Sequence, residues 1–424
     1  MQTVDGLRLV GSGSVSEPLL ERQAERLIAE GLERLNLAGR KVLVIIPDGT
    51  RTAPIPLLYR VLTGQLAGAA AQLDYLIALG THPPMTEAAI DALLGCAAQE
   101  RGQRWPRVRV FNHSWDDPAS LSTVGEISAE EAFQLTDGRI NHRVPVRLNR
   151  KVTEYDHIIA CGPVFPHEVA GFSGGTKYLF PGIAGPEIID FTHWLGALVT
   201  NLGTIGIVDT PVRRVIDRAA AMVRTPLTCL TLAIHGSDLH GLWLGEPDVA
   251  FREAARLSAQ LNVVRLPQPV RSVLSMPSER YDDLWTAAKA MYKTEAVVAD
   301  GGEVIIYAPF LKEVSVTHGR LLDQVGYHVS EYFLKQWDRF ASVPGTILAH
   351  STHVKGTGTF HAASGIEQPR IEVTLSTGIP EERCRQINLG YRDPATIRPE
   401  DWEGHDDRLL VRHAGEQLYR LAGR

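Results

Sequence analysis

Side chains suited to acid–base chemistry and anion binding follow three apolar runs that have the length of buried strands. Pro47-Asp-Gly-Thr-Arg51 follows the first run, Gly80-Thr-His82 follows the second, and His167 comes shortly after the third. An imidazole can move a proton near neutral pH, a carboxylate can orient it, and a guanidinium can bind a carboxylate or a phosphate. The residue types therefore favour a site for a small anionic molecule.

Each of these side chains also has a purely structural explanation when it is taken alone. Asp48 could cap a helix, Arg51 could form a surface ion pair, and His82 could be a loop histidine. They indicate a site only together, because the carboxyl ends of parallel strands meet at one edge of a sheet. We therefore predict that these three residues, His167 and Lys177 lie near one another.

A glycine-rich segment, Gly171-Phe-Ser-Gly-Gly-Thr-Lys177, could bind a phosphate. Glycines let backbone N–H groups approach an anion, so we predict contacts from Ser173-Gly174-Gly175-Thr176. The segment is not a P-loop, because that motif requires glycine in place of Thr176 and Ser or Thr in place of Tyr178. Lys177 could be a covalent attachment point or an ordinary solvated lysine.

Two further groups of histidines could bind a metal. His193 would project from a helix that begins at Pro186, either as a packing residue beside Trp194 or as a metal ligand. His350-Ser-Thr-His353 and nearby His361 form a second group, but no acidic third ligand stands at a standard spacing. The sequence therefore favours His193 over the second group as a metal ligand.

Alternating strands and helices are predicted to hold these residues. Short β-branched runs predict strands at Val42–Ile46, Leu73–Leu79, Arg107–Phe111, His157–Ala160, Thr204–Val208, Cys229–Ile234, Val273–Ser275, Glu303–Tyr307, Thr346–His350 and Arg385–Leu389. Ala-, Leu- and Glu-rich segments between several of them predict helices. This alternation predicts an α/β fold with two α/β domains, mostly parallel sheets and an interdomain active-site cleft.

A Pro-containing stretch, Leu266–Val270, is the predicted domain boundary. The N-terminal α/β domain would span residues 1–268, and the C-terminal α/β domain would span residues 269–405. Lys289 in the second domain would be solvated or would reach the cleft. Residues 406–424 are predicted to form a C-terminal helix that could pack back on the N-terminal domain.

The composition narrows the class of protein. The 424 residues include 43 Lys and Arg against 49 Asp and Glu, a formal charge of −6, which argues against nucleic acid and anionic membranes as partners. The 44% hydrophobic and 22% charged content is that of a globular protein, and four scattered cysteines make no disulfide framework or zinc site. No membrane span or signal-peptide pattern is evident, so we expect a cytoplasmic protein with a small-molecule ligand.

The motifs together resemble those of the nickel-pincer-dependent lactate racemases and related 2-hydroxyacid racemases and epimerases. The resemblance spans most of the chain. The matching residues are Asp48-Gly-Thr-Arg51, Gly80-Thr-His82, the block from His167 to Lys177, His193, Lys289 and Gly301-Gly302. The most specific feature is the block that ends at Lys177, with His193 sixteen positions further on.

The resemblance implies a covalently attached cofactor. Lys177 would carry a nickel-pincer nucleotide, the pyridinium-3-thioamide-5-thiocarboxylic acid mononucleotide, and nickel would be bound by the cofactor and by His193. Asp48 and Ser173-Gly174-Gly175-Thr176 would contact this cofactor. The implied partners are a small-molecule 2-hydroxyacid and the enzymes that mature the cofactor.

The resemblance also implies roles in catalysis. His82 and His167 would be the acid–base pair, and Arg51 and Lys289 would bind the substrate carboxylate. The C2–H bond of an ionised 2-hydroxyacid is weakly acidic, so its hydrogen would leave and return as hydride while the histidines handle the hydroxyl proton.

One departure from the family pattern concerns substrate choice. Trp285 and Thr286 stand where lactate racemase has Tyr and Gln ahead of the carboxylate-binding lysine. Tryptophan adds apolar area and removes a hydroxyl, which changes the predicted surface beside the substrate. We therefore expect a 2-hydroxyacid other than lactate, with a larger side chain.

Two other functions remain open on the residues alone. An NAD-type oxidoreductase of hydroxyacids would explain the histidines, but Gly11-Ser-Gly13 lacks the third glycine of the dinucleotide-binding motif. A non-enzymatic nucleotide- or nickel-binding carrier would use the histidines only as ligands. Conversion of a single enantiomer without added NAD distinguishes the racemase from both alternatives.

Overall fold

The computed structural model describes residues 7–423 as two compact units. Unit 1 comprises residues 7–165, 172–189 and 213–261, and unit 2 comprises residues 166–171, 190–212 and 262–423. The main boundary lies close to the predicted one. The segments 166–171 and 190–212, expected in the N-terminal domain, belong instead to unit 2. No Pro- or Gly-rich linker marks the change at residue 190, because it falls inside one helix.

Strands and helices alternate along the described chain. The strands are β1 Leu9–Gly13, β2 Lys41–Pro47, β3 Gln72–Ala78, β4 Arg109–Asn112, β5 Leu121–Ile127, β6 Val144–Asn149, β7 His157–Pro163, β8 Pro166–His167, β9 Gly171–Phe172, β10 Leu227–His235, β11 Asp238–Gly245, β12 Val263–Leu266, β13 Val270–Pro277, β14 Val298–Ala308, β15 Gly358–His361, β16 Ile366–Pro369, β17 Glu372–Thr377, β18 Gly390–Tyr391, β19 Arg408–Ala414 and β20 Leu418–Leu421.

The α-helices fall between the strands. They are α1 Glu21–Leu35, α2 Ile55–Leu66, α3 Glu87–Leu94, α4 Ala98–Arg104, α5 Ala129–Leu135, α6 Pro186–Val199, α7 Asn201–Thr204, α8 Pro211–Ala220, α9 Pro247–Asn262, α10 Leu284–Ala287, α11 Lys289–Tyr292, α12 Gly319–Val325, α13 Ser330–Leu334, α14 Trp337–Phe340, α15 Gly345–Lys355 and α16 Glu381–Gln386. Short 3-10 turns occupy Pro118–Ser120, Arg150–Thr153, Gly175–Tyr178, Glu295–Val297, Pro394–Thr396 and Pro399–Trp402. Among these helices none is long and apolar enough to cross a membrane.

Unit 1 is built on a seven-stranded sheet in the order β1-β11-β10-β7-β2-β3-β4. The strands from β10 to β4 run parallel, and β11 runs antiparallel to both of its neighbours. Val44 in the centre of the sheet lies opposite Tyr75 on one side and Ile159 on the other, and all three are buried. Because β2 lies between β3 and β7, the sheet reverses its order there, and such a reversal favours a ligand site at the carboxyl ends.

Unit 2 is built on a five-stranded parallel sheet in the order β18-β17-β14-β13-β19. Strand β13 has a neighbour on each side, and the chain leaves its carboxyl end at Pro277 toward helices α10 and α11. Both units therefore confirm the predicted α/β class with mostly parallel sheets.

Three predicted strands are wrong. Thr204–Val208 begins at the end of helix α7, Thr346–His350 lies inside α15, and Arg385–Leu389 begins at the end of α16. Every residue of α15 from Thr346 to Lys355 is buried. A helix that is buried on all sides shows the same apolar run as a central strand, so hydrophobicity alone cannot distinguish them.

The predicted C-terminal helix is also wrong, because that part of the chain forms two strands. β19 extends the large sheet of unit 2 beside β13, and β20 pairs in parallel with β12. These partners lie more than a hundred residues away in the sequence. Pairing over such a separation decides the structure of a short segment, and local residue preferences do not reveal it.

Candidate functional site

His82 of unit 1 forms a hydrogen bond with a buried carboxylate. Asp48 follows β2 and His82 follows β3, so the two parallel strands place both residues at the same edge of the sheet. Nδ1 of His82 lies 2.5 Å from Oδ2 of Asp48, whose side chain is 9% exposed. A carboxylate can only accept, so the ring proton of neutral His82 lies on Nδ1. Nε2 therefore carries the lone pair, as a general base requires.

The surroundings of Asp48 keep its carboxylate ionised. Burial raises its pKa, but the hydrogen bond and charge of His82, the hydrogen bond from Thr50 and the charge of Arg51 together hold the pKa well below its usual value. Oδ1 accepts hydrogen bonds from the backbone N–H of Thr50 at 3.1 Å and from its hydroxyl at 2.6 Å. Asp48 therefore fixes the orientation of His82 across the working pH range of an enzyme.

The glycine-rich loop lies at the same edge of this sheet. Its 3-10 turn, Gly175–Tyr178, packs against β2, β7 and β10. Gly174 has φ +83°, a conformation that favours glycine, and a Cβ there would lie 2.5 Å from Cγ2 of Val164. The loop therefore needs glycine to pass this close to the chain that follows β7.

The two hydroxyl side chains of the loop are hydrogen-bonded within the protein. Ser173 Oγ donates to the carbonyl of Pro163 at 3.0 Å and accepts from the N–H of Phe165 at 2.9 Å. Thr176 Oγ1 donates to Oδ1 of Asp217 at 2.6 Å. These bonds fix the path of the loop, and the cofactor contacts of Ser173-Gly174-Gly175-Thr176 remain a prediction.

A buried arginine, missed by the sequence analysis, supports this loop. Arg213 in α8 donates through Nη2 to the carbonyl of Phe172 at 2.5 Å and through Nη1 to that of Gly174 at 3.4 Å. Its guanidinium lies 4.1 Å from the ring centroid of Phe251. Burial lowers the pKa of Arg213, and the charge of Asp217 opposes that shift. The only sequence signal was the spacing of four residues between Arg213 and Asp217, which is equally typical of a surface pair.

We expect Arg213→Leu to lower the free energy of unfolding by about 3–5 kcal/mol, because it leaves the buried charge of Asp217 without its compensating cation. Urea unfolding followed by circular dichroism measures the loss. The double variant Arg213→Leu/Asp217→Asn keeps an acceptor for Thr176 and removes the charge, so it should recover at least half of the loss. A double variant no more stable than the single one would contradict this role of the pair.

Lys177 and His193 are partly exposed although the residues next to them are buried. Lys177 is the partly exposed residue of the stretch 172–179 in unit 1, and His193 on α6 lies in unit 2 between buried Thr192 and Trp194. A partly exposed amine can be modified, and a partly exposed imidazole can bind a metal. Modification of Lys177 and metal binding by His193 both remain predictions.

His167 in unit 2 has a different environment from that of His82. It is 4% exposed, its Nδ1 accepts the backbone N–H of Val169 at 3.1 Å, and Oε2 of Glu168 lies 3.5 Å from the same nitrogen. The neutral ring therefore carries its proton on Nε2. The carboxylate of Glu168 stands beside Nδ1, where it stabilises the protonated ring.

Lys289 lies beyond the carboxyl end of β13. The lysine is 6% exposed, and Nζ lies 4.7 Å from the ring centroid of Tyr281. Trp285 lies about one helical turn before it, and its indole stacks on His350. Thr286 Oγ1 donates to Oδ1 of Asp283 at 2.9 Å. The same carboxylate oxygen accepts a hydrogen bond from the backbone N–H of Thr286, so Asp283 caps the helix. The hydroxyl of Thr286 is therefore used in the start of α10.

The histidines of the second group form no metal centre. His350 and His353 lie on α15 and are buried, and burial lowers their pKa to about 3 and about 4. His361 is exposed on β15. Between residues 7 and 423, no group of three or more His, Cys, Asp or Glu side chains could hold a metal ion.

Some of the predicted residues are brought together within each unit. In unit 1, the charges of Asp48 and Arg51 both act on the pKa of Tyr178, the neighbour of Lys177, which burial raises. In unit 2, the charges of Glu168 and His193 both act on the pKa of His353. The joint placement of all five residues predicted from the sequence remains a prediction.

Comparisons with known proteins agree with these features. A family model described as the lactate racemase N-terminal domain matches residues 16–204. The lactate racemase of Thermoanaerobacterium thermosaccharolyticum is 22% identical over 297 residues, and that of Lactiplantibacillus plantarum is 21% identical over 285 residues. The matches cover 69% and 66% of this chain but 65% and 62% of the two enzymes, less than two thirds of each.

Two solved structures have the same fold. A protein of Thermotoga maritima is 32% identical with a TM-score of 0.88, and the match covers 97% of this chain and 100% of that one. The lactate racemase apoprotein of Thermoanaerobacterium thermosaccharolyticum is 19% identical with a TM-score of 0.70, and the match covers 99% of this chain and 95% of that one. At 19% identity the second likeness supports the fold alone.

Proposed function

Because the chain belongs to the lactate racemase family, we propose that it is an isomerase that inverts C2 of a 2-hydroxyacid. The observation that carries the proposal is the pair of His82 and Asp48 at the sheet edge that also holds the glycine-rich loop. This pair supplies a general base whose second nitrogen is fixed by an ionised carboxylate. A carrier protein has no need of such a base.

We propose that the cofactor is the nickel-pincer nucleotide, held through Lys177, with His193 as the protein ligand of nickel. The partly exposed amine and imidazole described above support this assignment. When bound, the cofactor supplies a hydride acceptor, which the side chains of the protein cannot provide. In this proposal Asp48 and the loop Ser173-Gly174-Gly175-Thr176 contact the cofactor.

The two histidines handle the hydroxyl proton in opposite ways. Nε2 of His82 accepts the proton from the C2 hydroxyl, and Asp48 stabilises the imidazolium that forms. His167 in its protonated form is stabilised by Glu168 and returns a proton to the C2 oxygen. Inversion needs one histidine that accepts a proton and one that donates a proton. The two histidines exchange these roles when the other enantiomer is the substrate.

Arg51 and Lys289 bind the substrate carboxylate. A guanidinium can form two parallel hydrogen bonds to a carboxylate and so fix its plane, whereas an ammonium supplies a point charge. Lys289 is 6% exposed, which strengthens its attraction for an anion relative to that of a solvated lysine. We propose that the substrate differs from lactate in its side chain, because Trp285 precedes this lysine.

Conversion of single enantiomers tests the proposed function. Holoenzyme produced together with cofactor-maturation enzymes is incubated with one enantiomer of lactate, 2-hydroxybutyrate, phenyllactate, malate or glycerate, without added NAD. Chiral chromatography is expected to show both enantiomers of at least one acid at equilibrium. Turnover only with added NAD, or none on any acid by protein that carries the cofactor, would overturn the proposal.

A further inference from the structure

The side chain of Trp285 belongs to an aromatic cluster in unit 2 that contains His318, Tyr327 and His350. The indole lies flat on His350, with ring centroids 4.1 Å apart and an angle of 12° between the planes, and the ring of His318 lies 4.6 Å from the indole. The rings of Tyr327 and His350 are 5.7 Å apart and approach edge to face. Helix α11, which begins with Lys289, packs on the helix that carries His350. The cluster therefore adjoins the proposed carboxylate site.

The hydrogen bond of His350 identifies its tautomer. Nε2 lies 3.2 Å from the backbone carbonyl of Trp285, and a carbonyl can only accept, so this nitrogen carries the proton. Burial lowers the pKa of His350 to about 3, so the ring is neutral near pH 7. Nδ1 is then a hydrogen-bond acceptor.

Within residues 7–423, polar atoms of His350 and Tyr327 are buried without a hydrogen-bond partner. They are Nδ1 of His350 and Oη of Tyr327. Burial raises the pKa of Tyr327 far above its usual value, so its hydroxyl is neutral as well. A buried polar atom without a partner destabilises the folded protein. Such atoms are retained where a ligand or a water molecule pairs with them.

A hydroxyl group is the ligand group that complements these two atoms. It donates one hydrogen bond, which Nδ1 of His350 can accept, and it accepts another, which Oη of Tyr327 can donate. A second carboxylate has no proton to give to Nδ1 and would meet two neutral groups instead of a cation. The flat face of Trp285 adds apolar contact for the carbon chain that carries the hydroxyl.

We propose that His350 selects 2-hydroxyacids that carry a further hydroxyl group on the side chain. This inference rests on the proposed function, because it describes the substrate class of the same site. Trp285 is partly exposed and its indole stacks on His350, so the inference requires the indole to move aside when the hydroxyl binds. His350 is then a specificity-determining residue that bonds the substrate directly.

Lactate and glycerate test the inference because they differ by one hydroxyl group. The wild-type holoenzyme should convert glycerate with a kcat/KM at least about tenfold above that for lactate, chiefly through a lower KM. His350→Phe keeps an aromatic ring against Trp285 but removes the acceptor, so the ratio should fall to about one. His350→Asn places an amide oxygen near the position of Nδ1 and should restore part of the preference. Calorimetry with each acid at racemic equilibrium gives dissociation constants that should show the same ratios.

His328→Phe is the matched control. His328 also stacks on an aromatic ring in unit 2, that of Tyr332 at 3.7 Å, but its Nδ1 bonds Oε2 of Glu367 at 2.9 Å. This variant should lose stability and keep the wild-type preference for glycerate. If variants of His350 fail to fold, the comparison of glycerate with lactate in the wild-type enzyme still tests the inference.

Each outcome bears on a different proposal. A wild-type enzyme that converts both acids equally well would overturn the inference and leave the proposed function intact, and a buried water would then be the partner of Nδ1. Equal loss of both activities in His350→Phe would also overturn it. Conversion of neither acid nor any other 2-hydroxyacid would overturn the proposed function itself.

Discussion

Lys177→Ala is expected to abolish both the covalent cofactor and racemisation. This substitution removes the side-chain amine and the methylene groups that carry it, and the loop is held by hydrogen bonds of Ser173 and Thr176 and by Arg213. The fold should therefore survive. Intact mass spectrometry should give the mass of the unmodified chain, and activity should fall below detection.

Two other variants identify the cause of this loss. Lys177→Arg keeps the positive charge but cannot form the same link, so it should also lack the added mass. Lys151→Ala removes a lysine of unit 1 whose ammonium lies 3.7 Å from the ring centroid of Phe111, and it should keep both mass and activity. Added mass that persists in Lys177→Ala would refute attachment at this lysine.

His82→Asn is expected to lower kcat by about 10²–10⁴-fold, the range for loss of a general base. The cofactor mass and the nickel content should stay at wild-type values, since neither is assigned to His82. The value of kcat/KM should fall by the same factor in both directions, because the equilibrium constant between two enantiomers is one. Initial rates on each enantiomer, with nickel measured on the same samples, give this comparison.

Substitutions of Asp48 and Thr50 distinguish the electrostatic effect of the Asp48 carboxylate on His82 from the effect of packing around it. Asp48→Asn offers Nδ1 an amide in place of an ionised carboxylate, so kcat should fall by about 10²-fold or more. Thr50→Val removes one donor to Asp48 and leaves the bond between Asp48 and His82 in place, so its effect should be within a few-fold. Equal effects of the two variants would show that packing, not the carboxylate, matters at this position.

Much of the first sheet could be predicted from the sequence because its central strands are buried on both faces. Such strands form continuous apolar runs, as in Val42–Ile46 and Leu73–Leu79, and the polar residues that follow them mark the carboxyl edge. The bond between Asp48 and His82 follows from that arrangement. Helix α15 was misread for the opposite reason, since its full burial removed the amphipathic pattern by which helices are identified.

Other features depend on contacts that no local pattern reveals. Arg213 looks like an ordinary surface residue of an amphipathic helix, and only the folded chain places its guanidinium against the carbonyls of the glycine-rich loop. The neutral state and the unpaired nitrogen of His350 depend likewise on its burial beneath Trp285. Strands β19 and β20 take their structure from distant partners.

Racemisation in deuterium oxide distinguishes hydride transfer from removal of a C2 proton. If the histidines handle only the hydroxyl proton, hydrogen at C2 should never exchange with water. One enantiomer of a substrate is incubated with holoenzyme in deuterium oxide, and C2 of the product is examined by proton NMR. We expect a racemic product that keeps its C2 hydrogen, whereas deuterium at C2 that accumulates in step with racemisation would contradict hydride transfer.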